Sequence, residues 1–282
     1  MKRIFLSLFL SVVILLCGCA AELPEPSTKI ELAQPETIAA ACTLPETEPV
    51  ATTVPQIETV PPDISISAGV HLRRFSSEQT GDYLDYYLFV PESAVSGMPL
   101  LVFLHGDGEV GNLERLKGYG PNQAIREIYG ENYPFILIVP CTRQPSWTNG
   151  TIPETLKGLI EASAAECSAA QDRIILTGHS RGAMGVWYMV STYGDYFSAA
   201  VPVSCGTGCV LNYENLAKVK IFALAGDNDE YENIYRAQME IIVGEIQKNG
   251  GNAIFTRLEG CGHGETAREA YTKELFEQIL EN

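Results

Sequence analysis

The sequence predicts an α/β fold, a mainly parallel sheet with helices on both faces. Three observations carry this. Short apolar runs alternate with longer segments of helical pattern over most of the chain. A G-x-S-x-G motif, Gly178-His179-Ser180-Arg181-Gly182, lies between one apolar run and one helical segment. A glycine-rich loop, His105 to Gly111, follows an earlier apolar run.

The chain opens with Met1-Lys2-Arg3, then an apolar run from Ile4 to Leu16 that is too short for a permanent membrane helix. It ends Leu16-Cys17-Gly18-Cys19, which resembles a bacterial lipoprotein cleavage box. Residues 1–18 are therefore expected to be a signal peptide. Cys19 is the expected lipidation site, anchoring the protein to the outer face of the cell membrane. The alternative is an ordinary signal peptide cut after Ala20 or Ala21. Residues 19–65 are rich in Pro, Glu and Thr and poor in core-forming side chains, so a disordered linker is expected. Residues 66–282 hold enough apolar material for one catalytic-size domain.

Within that domain Tyr83–Val90 alternates and is expected to start the sheet antiparallel. Parallel core strands are predicted near 99–105, 135–140, 173–178, 200–204, 220–225 and 253–258. Helices are predicted near 121–130, 153–168, 182–193, 231–249 and 265–281. Only 15 residues separate Ser204 from Lys220, so no large lid domain is expected. Ligands bind outside the carboxyl ends of such strands.

The elbow spacing has a chemical reason. A serine that attacks a carbonyl must stand clear of the backbone at a sharp, strained turn. Strand and helix then approach so closely that Gly178 and Gly182 tolerate no larger residue. The hydroxyl needs a base, and the base needs an orienting carboxylate. Of four histidines, His179 sits inside the elbow, His105 reads as structural within its loop, and His71 lies before the core strands. His263 falls between the last strand and the last helix and is the expected base. The acid should lie between serine and histidine in the chain. Asp227 and Asp229 both follow the 220–225 strand, and Asp195 is a weaker candidate. Asp229 is favoured because it stands farther out on the loop; the loser would cap the next helix. Oxyanion donors are expected from the N–H of Arg181 and from the 106–108 loop, with Asp107 preferred over Gly106 and Gly108. Trp147 and Tyr119 are candidates for an aromatic wall against a sugar or phenolic ring, with ordinary packing the equal alternative.

Beyond the elbow, several segments match one group of enzymes. Leu104 to Gly111 follows L-H-G-x-G-E-x-G, and Gly178 to Gly185 follows G-H-S-x-G-[GA]-x-[GA]. Phe197 to Ser204 follows F-x-A-A-x-P-[VI]-[SC]. Ile138-Val139-Pro140-Cys141 with Trp147 is similar to the end of the group's fourth core strand. On these segments the chain resembles an α/β-hydrolase, and more narrowly the secreted esterases of the polyhydroxybutyrate depolymerase and feruloyl/acetyl-xylan type. The resemblance implies a serine esterase with a Ser180-Asp229-His263 triad, no cofactor, and a small-molecule or polysaccharide-attached ester as substrate. Two departures are Arg181, where the group often has Met or Gln, and the short loop Gly206 to Glu214.

The formal charge is −16, and loss of Lys2 and Arg3 with the leader takes it to about −18. That excludes nucleic acid as a ligand class, because phosphate-rich partners need basic patches. Five cysteines fall in the domain, and a Cys205–Cys209 bridge competes with reduced thiols as the expectation. Cysteine and histidine spacing does not suit zinc, and a monomer is expected. The alternatives to an esterase are a serine peptidase or amidase on the same triad and a non-catalytic surface-binding lipoprotein.

Overall fold

The computed structural model describes residues 64–281. The expected signal peptide, Cys19 and nearly all of the expected linker lie outside the described residues.

One eight-stranded sheet forms the frame. Its strands are β1 (Gly69–Ser76), β2 (Tyr83–Val90), β3 (Leu100–Leu104), β4 (Ile136–Cys141), β5 (Ile174–His179), β6 (Ala199–Val203), β7 (Lys220–Gly226) and β8 (Ala253–Leu258). Their spatial order is β1-β2-β4-β3-β5-β6-β7-β8. β2 pairs antiparallel with both β1 and β4, and every other pairing is parallel. The described helices are α1 (Leu113–Leu116), α2 (Pro121–Tyr129), α3 (Ile152–Glu166), α4 (Arg181–Tyr193), α5 (Tyr213–Leu216), α6 (Glu232–Lys248), α7 (Thr266–Glu269) and α8 (Lys273–Leu280).

Strands β3 to β6 are buried at every position, which is why they read as continuous apolar runs. Alternate side chains feed two cores. Leu100, Val102 and Leu104 pack toward α3, α4 and α6. Leu101 and Phe103 pack toward α2 and α8. The chain leaves β3 toward β4 on one side and leaves β5 toward β6 on the other. This reversal places the carboxyl ends of β3 and β5 side by side, with Leu104 paired to Gly178. A crevice opens at such a point.

The sheet starts one strand earlier than expected. β1 has no buried residue, and Val70 and Leu72 face solvent at the sheet edge. Its sequence therefore carries no apolar run, and only the full register with β2 makes it a strand. The expected 265–281 helix is two helices. Between them Tyr271 is buried, with its hydroxyl 2.8 Å from Thr177 Oγ1, and Thr272 is extended. The Thr272 side chain then caps α8 by accepting from the Leu275 N–H. The short helices α1 and α5 lie inside loops and were not expected. All five described cysteines are free thiols, so the bridge considered between Cys205 and Cys209 does not form: Cys205 is buried and Cys209 exposed.

Candidate active site

Ser180 stands at the junction of β5 and α4 with φ 56° and ψ −118°. A non-glycine residue there is strained, and the surroundings must hold it. They do so by close packing. A Cβ on Gly178 would lie 2.6 Å from the Gly182 carbonyl, and one on Gly182 would lie 1.9 Å from the Leu104 carbonyl oxygen. The Ser180 N–H also donates to the Val203 carbonyl at 2.8 Å.

Ser180 Oγ lies 2.8 Å from His263 Nε2, and His263 Nδ1 lies 2.7 Å from Asp229 Oδ2. Asp229 is 3% exposed, and its other oxygen accepts from the Tyr231 N–H at 2.9 Å. A buried carboxylate accepts from Nδ1–H, so Nε2 is left as the acceptor for the serine hydroxyl. The structure thus brings Ser180, Asp229 and His263 into one line. Asp227 serves the same loop differently. Its Oδ1 accepts from the Gly260 N–H at 2.7 Å and does not touch the imidazole. Asp195 lies in the turn before β6, at the opposite end of the strands.

The histidine loop, residues 259–265, is pinned at several points. The Gly262 N–H donates to Glu265 Oε2 at 2.8 Å, and the Asn228 N–H donates to the Cys261 carbonyl at 3.1 Å. The His263 carbonyl accepts from His179 Nε2–H at 2.8 Å and from the Thr266 hydroxyl at 2.7 Å. His179 Nδ1 in turn accepts from the Tyr119 hydroxyl at 2.8 Å. The elbow histidine is therefore a strut between Tyr119 and the loop that carries His263. Burial, with the neighbouring His263, lowers its pKa to about 4, so it is neutral at pH 7.

The first helical N–H groups lack partners within their helix. Arg181 opens α4, and Asp107 opens a single 3-10 turn, Asp107–Glu109, next to it. A Cβ on Gly106 would come within 3.4 Å of Ser180 Cβ, so this loop lies directly against Ser180. His105 holds the loop, as its place in the sequence predicts. Its Nδ1–H donates to the Gly106 carbonyl at 2.7 Å, and its Nε2 accepts from the Thr142 N–H at 3.1 Å. Burial lowers the His105 pKa to about 4 as well. The side chains of Arg181 and Asp107 form an ion pair across the mouth of the site.

A cleft of about 350 Å³ opens above Ser180 and is lined by Gly106, Tyr119, Tyr231, Tyr235 and His263 among others. Tyr119 lines it as expected. Trp147 does not: it is 1% exposed, packs edge-on to His105 at 5.0 Å between ring centres, and donates from Nε1 to the His105 carbonyl at 2.9 Å. A Cβ on Gly185 would lie 2.6 Å from Trp147 Cβ, so the residue braces α4, and it also lines a separate cleft of about 530 Å³ with Gln144, Arg181 and Met184. Two further aromatic rings line the cleft at Ser180, exposed Tyr231 and half-buried Tyr235, 5.1 and 6.3 Å from the His263 ring. Sequence reasoning missed both; their spacing of four at the start of the helix after Asp229 was the available signal. It also missed Glu109, a buried carboxylate paired with Arg115 at 3.0 Å. Burial pushes the Glu109 carboxyl above its ordinary value.

No family model and no curated protein matches the sequence. Solved structures do resemble it. A thermostable esterase aligns at 23% identity and TM-score 0.63, over 74% of this chain and 62% of that one. This chain thus spans less than two thirds of that esterase. A feruloyl esterase module from Clostridium thermocellum complexed with sinapinate aligns at 16% identity and TM-score 0.55, over 76% and 89% of the two chains. An S-formylglutathione hydrolase from Staphylococcus aureus aligns at 15% identity and TM-score 0.58, over 77% and 99%. Sheet order, helix placement and these likenesses together give this chain the α/β-hydrolase fold.

Proposed function

We propose that the protein is a serine esterase acting on carboxylic esters of the phenolic- or carbohydrate-linked, feruloyl or acetyl class. One observation carries this reading: the line from Ser180 Oγ through His263 to buried Asp229, opening into a cleft. The fold shared with the two esterases and the hydrolase above supports it.

In this reading Ser180 Oγ attacks the ester carbonyl carbon while His263 Nε2 takes its proton. Asp229 keeps Nδ1–H in place and stabilises the imidazolium that forms. The oxyanion accepts hydrogen bonds from the N–H groups of Arg181 and Asp107. As the C–O bond to the alcohol breaks, the leaving oxygen takes the proton from Nε2. Water then attacks the acyl-enzyme, giving its proton to His263, and the acid leaves as Ser180 regains a proton. Tyr231 and Tyr235 offer faces to an aromatic or methyl-bearing acyl group.

Hydrolysis of nitrophenyl acetate, nitrophenyl butyrate, methyl ferulate and acetylated xylan by residues 64–282, wild type beside Ser180→Ala, tests the reading. The expected loss in Ser180→Ala is about 10⁴- to 10⁶-fold in kcat. Turnover of peptide substrates alone, with every ester left untouched, would replace esterase by peptidase. The order of residues 1–19 supports a second proposal, export with lipidation of Cys19. In detergent-phase partitioning of the full chain, Cys19→Ala should move the protein to the aqueous phase, and unchanged partitioning would remove the anchor.

A further inference from the structure

Glu109 does more than its ion pair explains. It closes the 3-10 turn Asp107–Glu109, whose N-cap is Gly106, and so stands at the third position after the cap. A glutamate at that position can reach back to the backbone of the cap residue. Here Oε1 is held by Arg115 Nε at 3.0 Å, and Arg115 Nη1 lies 3.7 Å from where a Cβ on Gly108 would stand. Oε2 turns toward Gly106, 3.5 Å from where a Cβ there would stand, and has no hydrogen-bond partner among the described residues. Gly106 is also the residue packed against Ser180 Cβ. The Tyr119 hydroxyl lies between this carboxylate and His179 Nδ1, where the strut to the His263 carbonyl begins.

Stability alone does not account for a carboxylate in this place. Desolvating the charge costs several kcal/mol, and an apolar side chain of like volume often serves a fold as well as a buried ion pair. What an apolar side chain lacks is the reach to Gly106 and to Tyr119. We propose that Glu109 is a positioning residue, which holds Gly106 and Asp107 against Ser180 and seats the Tyr119–His179 strut, so that the oxyanion donors and the imidazole keep one geometry. With 2% of its side chain exposed, it acts through these neighbours and not on substrate. This rests on the esterase reading for its effect on rate, but not for its hold on the turn.

The test compares Glu109→Gln and Glu109→Leu with wild type. Glutamine keeps the reach without the charge, and leucine keeps volume and loses the reach. On nitrophenyl acetate, Glu109→Leu should lose about 10- to 100-fold in kcat, with KM within about twofold, as for an oxyanion donor displaced but not deleted. Inhibition by a boronic acid, whose tetrahedral adduct on Ser180 mimics the transition state, should weaken by the same factor. Glu109→Gln should recover most of both losses. A merely structural residue would lower Tm and leave kcat and boronate affinity of the folded enzyme near wild type. That result overturns the proposal, and so does a glutamine variant as poor as leucine.

Amide hydrogen exchange reads the turn without substrate. The Val110 N–H donates to the Asp107 carbonyl at 3.3 Å, and the Asn112 N–H to the Glu109 carbonyl at 2.9 Å. Both should exchange about tenfold faster or more in Glu109→Leu than in Glu109→Gln, as local opening becomes easier. Equal rates overturn the hold on the turn. If wild type hydrolyses no ester, the esterase reading fails by itself and exchange alone decides the positioning role. If Glu109→Leu does not fold, Arg115→Met takes its place, because Arg115 is exposed and tethers the carboxylate. It should lose about five- to tenfold in kcat, the worth of one charged hydrogen bond, and an unchanged kcat would overturn the proposal.

Discussion

The elbow and the histidine loop hold partners of one hydrogen bond by opposite means. Ser180 is placed by steric contact: two glycines let backbone meet backbone, and no side chain takes part. His263 is placed by polar groups: Asp227, Glu265, His179 and Thr266 each hold part of its loop, and Asp229 holds the ring. Close packing fails all at once when a single atom is added. A set of hydrogen bonds fails in steps, each worth about 0.5–1.5 kcal/mol. The Ser180 turn should therefore be brittle toward mutation and the His263 loop graded.

The largest effect on this contrast should come from Asp229→Asn. The amide offers an oxygen only in one orientation and cannot stabilise imidazolium, so kcat should fall about 10⁴-fold with the fold intact. A loss under tenfold would return the role to Asp227. Gly182→Ala comes next. Its Cβ has no escape from the Leu104 carbonyl, so the cost should exceed about 4 kcal/mol in denaturant titration. A midpoint matching wild type would refute the steric account of the elbow.

Third is pH. His105 and His179 have folded pKa values near 4, against about 6.5 in an unfolded chain. Between these values the unfolded state binds protons that the folded state refuses. Stability is then full above about pH 6.5 and falls as pH drops toward 4, by about 3 kcal/mol per histidine. Tm scans from pH 7 to 4 should show the fall, and His179→Gln should make it shallower; equal slopes in the two proteins would show that His179 is not a buried neutral strut. The smallest effect should be that of Asp227→Ala, which removes one loop hydrogen bond. About a tenfold loss in kcat with KM little changed is expected. No loss would mean the other tethers suffice, and a loss as large as that of Asp229→Asn would make the His263 loop as brittle as the Ser180 turn.

The legible part of the site follows the same division. Gly178, Gly182 and Ser180 stand together in five residues, because a steric turn is local and its requirements are written locally. The parallel strands were legible because burial on both faces demands unbroken apolar runs. β1 was not: an exposed edge strand needs no such run. The break at Tyr271 was also hidden, since an apolar helical pattern continues across it and only the hydroxyl contact with Thr177 interrupts the helix.

Trp147 shows why aromatic side chains mislead. Sequence gives an aromatic ring near the site but not which way it faces, and here the indole packs on His105 and Gly185 and does not line the cleft at Ser180. Tyr231 and Tyr235 line the cleft at Ser180 instead. The sequence by itself determined the layered α/β fold, the elbow, and the chain order that singles out His263, because periodicity and close-approach glycines are local properties. Only the tertiary structure showed that Asp229, which the sequence favoured, is the aspartate against the His263 ring, and showed the strut through His179 and the two clefts parted by Arg181 and Asp107. Those depend on distances between residues far apart in the chain, which side-chain packing sets and no local pattern records.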